Sequence, residues 1–146
     1  PSSVLIDQQP FVFPLAKLAV QESDGKVLAL LFSDDPRDAI SDKYTGNSFY
    51  LEMELDVPDA KDFASAIWQF KAPSSDWEDS PYGIFLDGHR RRLAPKDVKV
   101  QFEPAGPNLT TVYVSGQFLM LGVNDPVESA RVVPVVARLQ AATKVK

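Results

Sequence analysis

The chain has 146 residues, of which 45% are apolar and 24% charged, and it contains no cysteine. This length is enough for one buried core, and no stretch of about 18 apolar residues is present to cross a bilayer as a helix. The formal net charge of −5 argues against nucleic-acid binding, which needs a basic surface, and the lack of cysteine excludes disulfides, thiolate metal sites and cysteine nucleophiles.

Charge is distributed unevenly along the chain. Between Glu22 and Asp79 there are fourteen acidic and five basic residues, whereas between Asp87 and Lys146 there are five acidic and nine basic residues. If the two halves form different faces, the molecule is bipolar, which favours a charge-steered protein partner or stacked self-association. The alternative is that the halves pack together and carry ordinary surface charge.

The first clear turn is Asp24-Gly25, which joins the apolar segments "LAKLAVQES" and "KVLALLF". Both central residues of a type I′ turn need positive φ, which aspartate tolerates and glycine adopts without strain. The pair therefore predicts a β-hairpin.

A long polar loop is predicted for "SDDPRDAISDKYTGN", with at most one helical turn. Its aspartates carry the oxygen ligands that calcium prefers, but their spacing does not match an EF-hand loop. A solvated loop is the favoured interpretation, and a calcium site remains the alternative. The aspartates concerned are Asp34, Asp35, Asp38 and Asp42.

Strict alternation in "FYLEMELDV", residues 49–57, predicts a strand with one face in the core and the other in water. The inner side comprises Leu51, Met53, Leu55 and Val57, and the outer side comprises Glu52, Glu54 and Asp56. The acidic outer side is a candidate docking surface for a basic partner.

The segment "VPDAKDFASAIWQFKAP" fits two structures. Asp59 is placed to cap a short helix that begins at Ala60, with Phe63, Ala66 and Ile67 on one face. In contrast, Ala66, Trp68 and Phe70 alternate as they would in a strand. We predict one or two helical turns followed by a strand, with Trp68 in the core.

A second loop, "KAPSSDWEDSPYG", contains Trp77 and Tyr82. Trp77 is surrounded by serine, aspartate and glutamate, and an exposed ring of this kind anchors protein contacts or stacks on sugars. The alternative is that Trp77 folds back as a lid on one end of the core.

The segment "IFLDGHRRRL" predicts another hairpin at Asp87-Gly88, followed by the single histidine and three arginines. On a strand, Arg90 and Arg92 share one side while His89 and Arg91 share the other, so the three arginines do not converge on one anion. If the flanking leucines are buried, one basic pair lies near the sheet and needs a carboxylate partner. The main interpretation is a hairpin with exposed or ion-paired arginines. An anchor for an acidic protein surface and a small-anion site are the alternatives.

The last third of the chain predicts three strands. "KDVKVQFE" alternates, with Val98, Val100 and Phe102 facing inward. In "TTVYVSGQFLMLGV", Gly116 indicates a bulge or the close approach of another backbone. In "ARVVPVVARLQA", Pro134 lacks an N–H and therefore predicts an edge strand, which would be open to an added strand from a partner.

Together these elements predict an all-β, mainly antiparallel fold in a single domain, 1–146. The expected architecture is a β-sandwich of about eight or nine strands with one short helix, and a closed β-barrel is the alternative. The compartment stays open, although the absence of cysteine agrees with an exported bacterial protein, in the periplasm or secreted.

The sequence contains no histidine set, thiol or nucleotide-binding loop, so we expect a non-enzymatic binding module without cofactor or metal. The partner is expected to be another protein, with a basic surface, or a second copy, as for an inhibitor, immunity-type or assembly protein. The alternatives are a carbohydrate-binding module and a carboxylate-dependent hydrolase that uses Glu52 with Glu54 or Glu78 with Asp79. The predicted partner-binding residues are Trp77, Tyr82, Glu52, Glu54, Asp56, Arg90, Arg91 and Arg92.

Overall fold

The computed structural model describes residues 2–33, 46–71, 83–88, 90–122 and 124–146. Within these residues the chain forms ten strands and two short 3₁₀ helices. The strands are β1 Ser3–Ile6, β2 Gln9–Phe11, β3 Ala16–Ser23, β4 Lys26–Phe32, β5 Ser48–Leu55, β6 Ile67–Lys71, β7 Gly83–Leu86, β8 Arg91–Gly106, β9 Leu109–Gly122 and β10 Arg131–Val145. The 3₁₀ helices are η1 Ala60–Ser65 and η2 Val127–Ser129.

All ten strands belong to one hydrogen-bonded sheet, and seven of them are paired in a ring. Strands β3, β4, β5, β7, β8, β9 and β10 pair in that order, and β10 then pairs with β3. Only the β10–β3 pair is parallel among the described strands. Strands β1 and β2 extend the sheet from β10, and β6 pairs with β8. The predicted all-β, mainly antiparallel fold is confirmed, with ten strands instead of eight or nine.

One cluster of buried apolar side chains receives members from every strand of the ring. Representative members are Leu18, Leu31, Met53, Leu86, Leu93, Phe118 and Val133. The alternation predicted for β5 and β8 is confirmed, because the inner positions of both strands are buried. Val57, predicted on the same inner side as Leu55, follows β5 and is only partly buried.

Both predicted Asp-Gly hairpins form. Asp24 and Gly25 have φ values of 52° and 77° and connect β3 to β4. Asp87 and Gly88 have φ values of 55° and 62°, but Leu86 pairs with Arg91, so the connection from β7 to β8 has four residues instead of the two of a type I′ turn. Positive φ at both positions is the backbone geometry that selects these residue types.

The ambiguous segment is one 3₁₀ helix followed by a strand, as predicted. Asp59 occupies the N-cap position, but its side chain makes no capping hydrogen bond. Instead, the Ala60 amide donates to Glu22 Oε1 at 3.0 Å, so β3 anchors the start of η1. Trp68 is buried as predicted, whereas Ile67, predicted on an inner helix face, begins β6 and is exposed.

Strands β6 and β7 lie end to end along the same side of β8. Between their ladders the β8–β9 register shifts from Pro95 to Asp97, which leaves an extra residue in β8. Gly116 of β9 has a φ of 142°, and a Cβ built there would lie 2.8 Å from Val98 Cα. The predicted close approach at Gly116 is therefore confirmed, and the irregularity itself lies in β8.

The prediction that Pro134 marks an edge strand is wrong. Strand β10 is paired on both sides, with β9 on one side and with β1 and β3 on the other. The Pro134 carbonyl accepts a hydrogen bond from the Asp7 amide at 2.8 Å, just beyond the last β1 pair. Because the N and C=O of one residue in an antiparallel ladder point the same way, the missing N–H faces this turn and not β9. The prediction that β10 is an open edge for an added strand from a partner is wrong for the same reason.

Candidate functional site

The predicted acidic residues form a column along the outer side of β5. Glu52 is half-buried, while Glu54 and Asp56 are exposed, with Asp56 directly following the strand. Alternation in β5 turns all three away from the core, because the residues between them face inward. The three carboxylates therefore share one surface.

Register places an apolar column from β4 beside these acids. Leu28 pairs with Glu54, and Leu30 pairs with Glu52. Both leucines are half-buried, and their inward neighbours on β4 are buried in the core. The apolar run "KVLALLF" is the sequence signal for this column, because it supplies apolar side chains to both faces of β4. Its position beside the acids follows only from the β4–β5 pairing.

Residues of this outer surface line parts of two depressions that are open to solvent. The first, of about 280 Å³, is lined by Ala19, Gln21, Leu28, Ala29, Leu30, Tyr50 and Glu52. The second, of about 420 Å³, is lined by Gly25, Lys26, Val27, Glu54, Leu55, Asp56 and Val57. The acidic column thus borders both depressions, and leucines lie beneath the first.

Two polar contacts arrange the acidic column. Lys26 Nζ lies 3.8 Å from Glu54 Oε1, with both side chains well exposed. The Tyr50 hydroxyl donates to Glu52 Oε2 at 3.5 Å. One lysine therefore partly offsets the charge of Glu54, and the outer side of β5 stays acidic.

The arginines of the β7–β8 hairpin do not converge on one point. Arg91 Nε and Nη2 lie 2.9 and 2.8 Å from Asp87 Oδ2, and its guanidinium lies 5.8 Å from the Phe11 ring. Arg92 is half-buried and lies 5.9 Å from the Phe85 ring, and burial lowers the pKa of its guanidinium below the ordinary value. Arg90 is exposed in the turn before β8, so the prediction that it shares a strand side with Arg92 is wrong.

Asp87 thus supplies a carboxylate to Arg91, but both side chains are exposed, and the arginine that lies nearer the sheet interior is Arg92. The position of the β7–β8 hairpin keeps these arginines away from the acidic column. The hairpin lies beside the start of β5, where the Gly88 amide donates to the Gly46 carbonyl at 2.7 Å, whereas the acidic column occupies the end of β5.

Several predicted residues lie outside the part of the chain that the structure describes. These are Trp77, Tyr82, Glu78, Asp79, His89 and the four loop aspartates Asp34, Asp35, Asp38 and Asp42. Among the residues that are described, three or more His, Asp or Glu side chains do not gather in a geometry that could hold a metal ion. The described helices are all too short to cross a membrane.

One space within the core of the described residues is too small for a ligand. A cavity beneath Phe13 admits about 20 Å³ and is lined by apolar side chains of the core, including Leu31, Phe49 and Leu139. That is about the room needed by a single water molecule, without polar groups to hold it. The outer surface of β3–β5 is therefore the better candidate site.

Comparisons with protein-family models, with curated proteins and with solved structures found no match for this chain.

Proposed function

We propose that this chain is a non-enzymatic binding module that holds a protein partner on the outer surface of β4 and β5. We call this surface the acidic face and define it by Leu28, Leu30, Glu52, Glu54 and Asp56. The observation that carries the proposal is the β4–β5 register, which sets each of the two leucines directly beside a glutamate.

Protein interfaces combine an apolar centre, which supplies most of the affinity, with a polar rim that supplies orientation and partner choice. Leu28 and Leu30 offer apolar surface that is not yet fully buried. The carboxylates of Glu52, Glu54 and Asp56 favour a basic partner and accelerate its approach. Such a role suits an inhibitor, an immunity-type protein or an assembly subunit.

The two other functions gain no support from the described residues. A carbohydrate-binding role rests on Trp77, which lies outside them. A hydrolase needs two carboxylates across a substrate cleft, whereas Glu52 and Glu54 project side by side from one strand onto an open surface.

The proposal is tested by affinity capture from the native source with the wild-type chain and with the double variant Glu52→Gln/Glu54→Gln. The variant removes two charges and keeps side-chain size. Asp125→Asn/Glu128→Gln is the matched control, because it removes the same charge from exposed positions outside the acidic face. The proposal is supported if the wild type and the control retain a protein at low salt and the double variant does not. Retention by the wild type should also be lost at high salt. Equal retention by all three chains contradicts it.

A further inference from the structure

Resting on the proposed function, we infer that the acidic face binds a second copy of this chain, through the outer surface of β1 and β10. We call that surface the apolar–basic face and define it by Leu5, Val132, Pro134, Val136 and Arg138. Copies would then join head to tail, with different surfaces of the two molecules in contact.

The apolar–basic face exposes large apolar side chains next to one another. Val136 pairs with Leu5 across the β1–β10 ladder, and their exposed fractions are 58% and 42%. Val132, on the same outer side of β10, is 42% exposed, and Pro134 between the two valines is exposed as well. Neighbouring exposed apolar side chains on a sheet indicate an interaction surface more strongly than isolated ones do.

One basic side chain, Arg138, borders this apolar stripe. Arg138 is exposed and follows Val136 on the outer side of β10. Arg131 begins the strand on the side of the buried Val133 and Val135, and Asp7 Oδ2 lies 3.1 Å from its Nη1, so Arg131 adds no net charge to the outer side. The acidic face thus combines leucines with carboxylates, and the apolar–basic face combines valines and a leucine with an arginine. The apolar parts of the two faces can pack together while their charges attract.

Two parts of the described chain differ in charge in the same way. Residues 16–33 and 46–62 contain seven acidic and three basic side chains, whereas residues 90–122 and 124–146 contain nine basic and four acidic ones. The acidic group belongs to β3–β5 and η1, and the basic group to β8–β10 and their connections. Each copy therefore carries an acidic group and a basic group, and Arg138 is the member of the basic group that lies in the apolar–basic face.

The two faces share no residue, so the contact is heterologous. A heterologous contact leaves one free copy of each face in a dimer, and association continues until a ring closes or a filament grows. Because each end of a head-to-tail dimer keeps one free face, mixing two variants distinguishes this contact from a like-to-like contact.

The test compares Glu52→Lys/Glu54→Lys, which reverses charge on the acidic face, with Val136→Glu, which places a carboxylate in the apolar–basic face. Sedimentation velocity of the wild type is expected to show species that grow with concentration and shrink with added salt. Each variant alone is expected to associate at least about tenfold more weakly. An equimolar mixture is expected to form a 1:1 dimer that does not grow, because each variant keeps the face that the other lacks.

Gln69→Glu, which adds the same charge on the exposed side of β6, is the control and should behave as wild type. Circular dichroism verifies that each variant is folded, and Leu5→Gln replaces Val136→Glu if the latter is not. Self-association that persists in Glu52→Lys/Glu54→Lys and disappears in Val136→Glu indicates like-to-like contact and overturns the inference. A wild type that stays monomeric at about 100 μM also overturns the inference. Self-association with a Kd near or below about 100 μM would be detected at that concentration. The affinity capture described above would then decide separately whether the acidic face binds a different protein.

Discussion

Replacing Gly116 with alanine tests how closely β8 and β9 approach at the β8 irregularity. Gly116 has a φ of 142°, where a residue with a side chain is strained. Its added Cβ would also meet the β8 backbone, at 2.8 Å from Val98 Cα and closer still to the Asp97 carbonyl oxygen. The obstructing atoms are backbone, so no side-chain rotation relieves the overlap.

Two costs add to give the expected size of the effect. A residue held at an unfavourable φ costs about 1–3 kcal/mol, and forcing an extra carbon into a filled site costs about 1–3 kcal/mol more. We therefore expect Gly116→Ala to lower the free energy of unfolding by about 2–6 kcal/mol, a large share of the roughly 5–15 kcal/mol typical of a domain.

Gly25→Ala is the matched control. Gly25 has a φ of 77°, but nothing lies within 4 Å of the position where its Cβ would stand. Only the conformational cost applies, and it is about 1–2 kcal/mol. Urea unfolding followed by far-ultraviolet circular dichroism should give a larger midpoint shift for Gly116→Ala than for Gly25→Ala. Equal shifts would refute the claim that contact with the β8 backbone is what requires glycine at position 116.

The same unfolding measurement tests three smaller contributions. Glu22→Ala should lower the free energy of unfolding by about 1 kcal/mol, because it removes the acceptor of the first η1 amide. Asp59→Ala should lower it by less than about 0.5 kcal/mol, because the Asp59 side chain makes no capping hydrogen bond. The reverse order would show that the N-cap side chain holds this helix. Ser33→Ala should cost about 1–3 kcal/mol, because its buried hydroxyl accepts a β5 amide at 2.9 Å, and a neutral change would indicate that this amide finds another acceptor. A double-mutant cycle on Arg91 and Asp87 should give a coupling below about 1 kcal/mol, since both side chains are solvent-exposed; a larger value would mean that water screens the pair poorly.

Local pattern is sufficient for the elements that it describes directly. The alternation of apolar and charged residues in β5 and β8 predicts the buried side of each strand, because period 2 is a property of the strand itself. The Asp-Gly pairs predict two hairpins for a similar reason, since positive φ is a local requirement. Gly116 indicates a close approach through its position inside a long apolar strand.

Local sequence pattern does not predict which distant strands pair with each other. Pro134 predicts an edge because a missing N–H usually excludes a central position. The structure accommodates the proline by ending β1 just before that residue, so its nitrogen faces a turn. Likewise, the sequence groups the acids of β5 but not Leu28 and Leu30, whose place beside them depends on which residue of β4 meets which residue of β5.

Among the described residues, acidic side chains are concentrated on the early strands and basic ones on the late strands, and the two halves of the chain use local connections. Strands β3 and β4 form a hairpin to which β5 is added, and β8, β9 and β10 pair in succession, so each half builds its own neighbouring strands. Among the described strands of the ring, the halves pair only where β10 meets β3 and where β5 meets β7. A fold that interleaved early and late strands would have mixed acids with bases around the ring. Here the connectivity places the early strands β3, β4 and β5 next to one another, and this arrangement brings together the residues of the proposed acidic face.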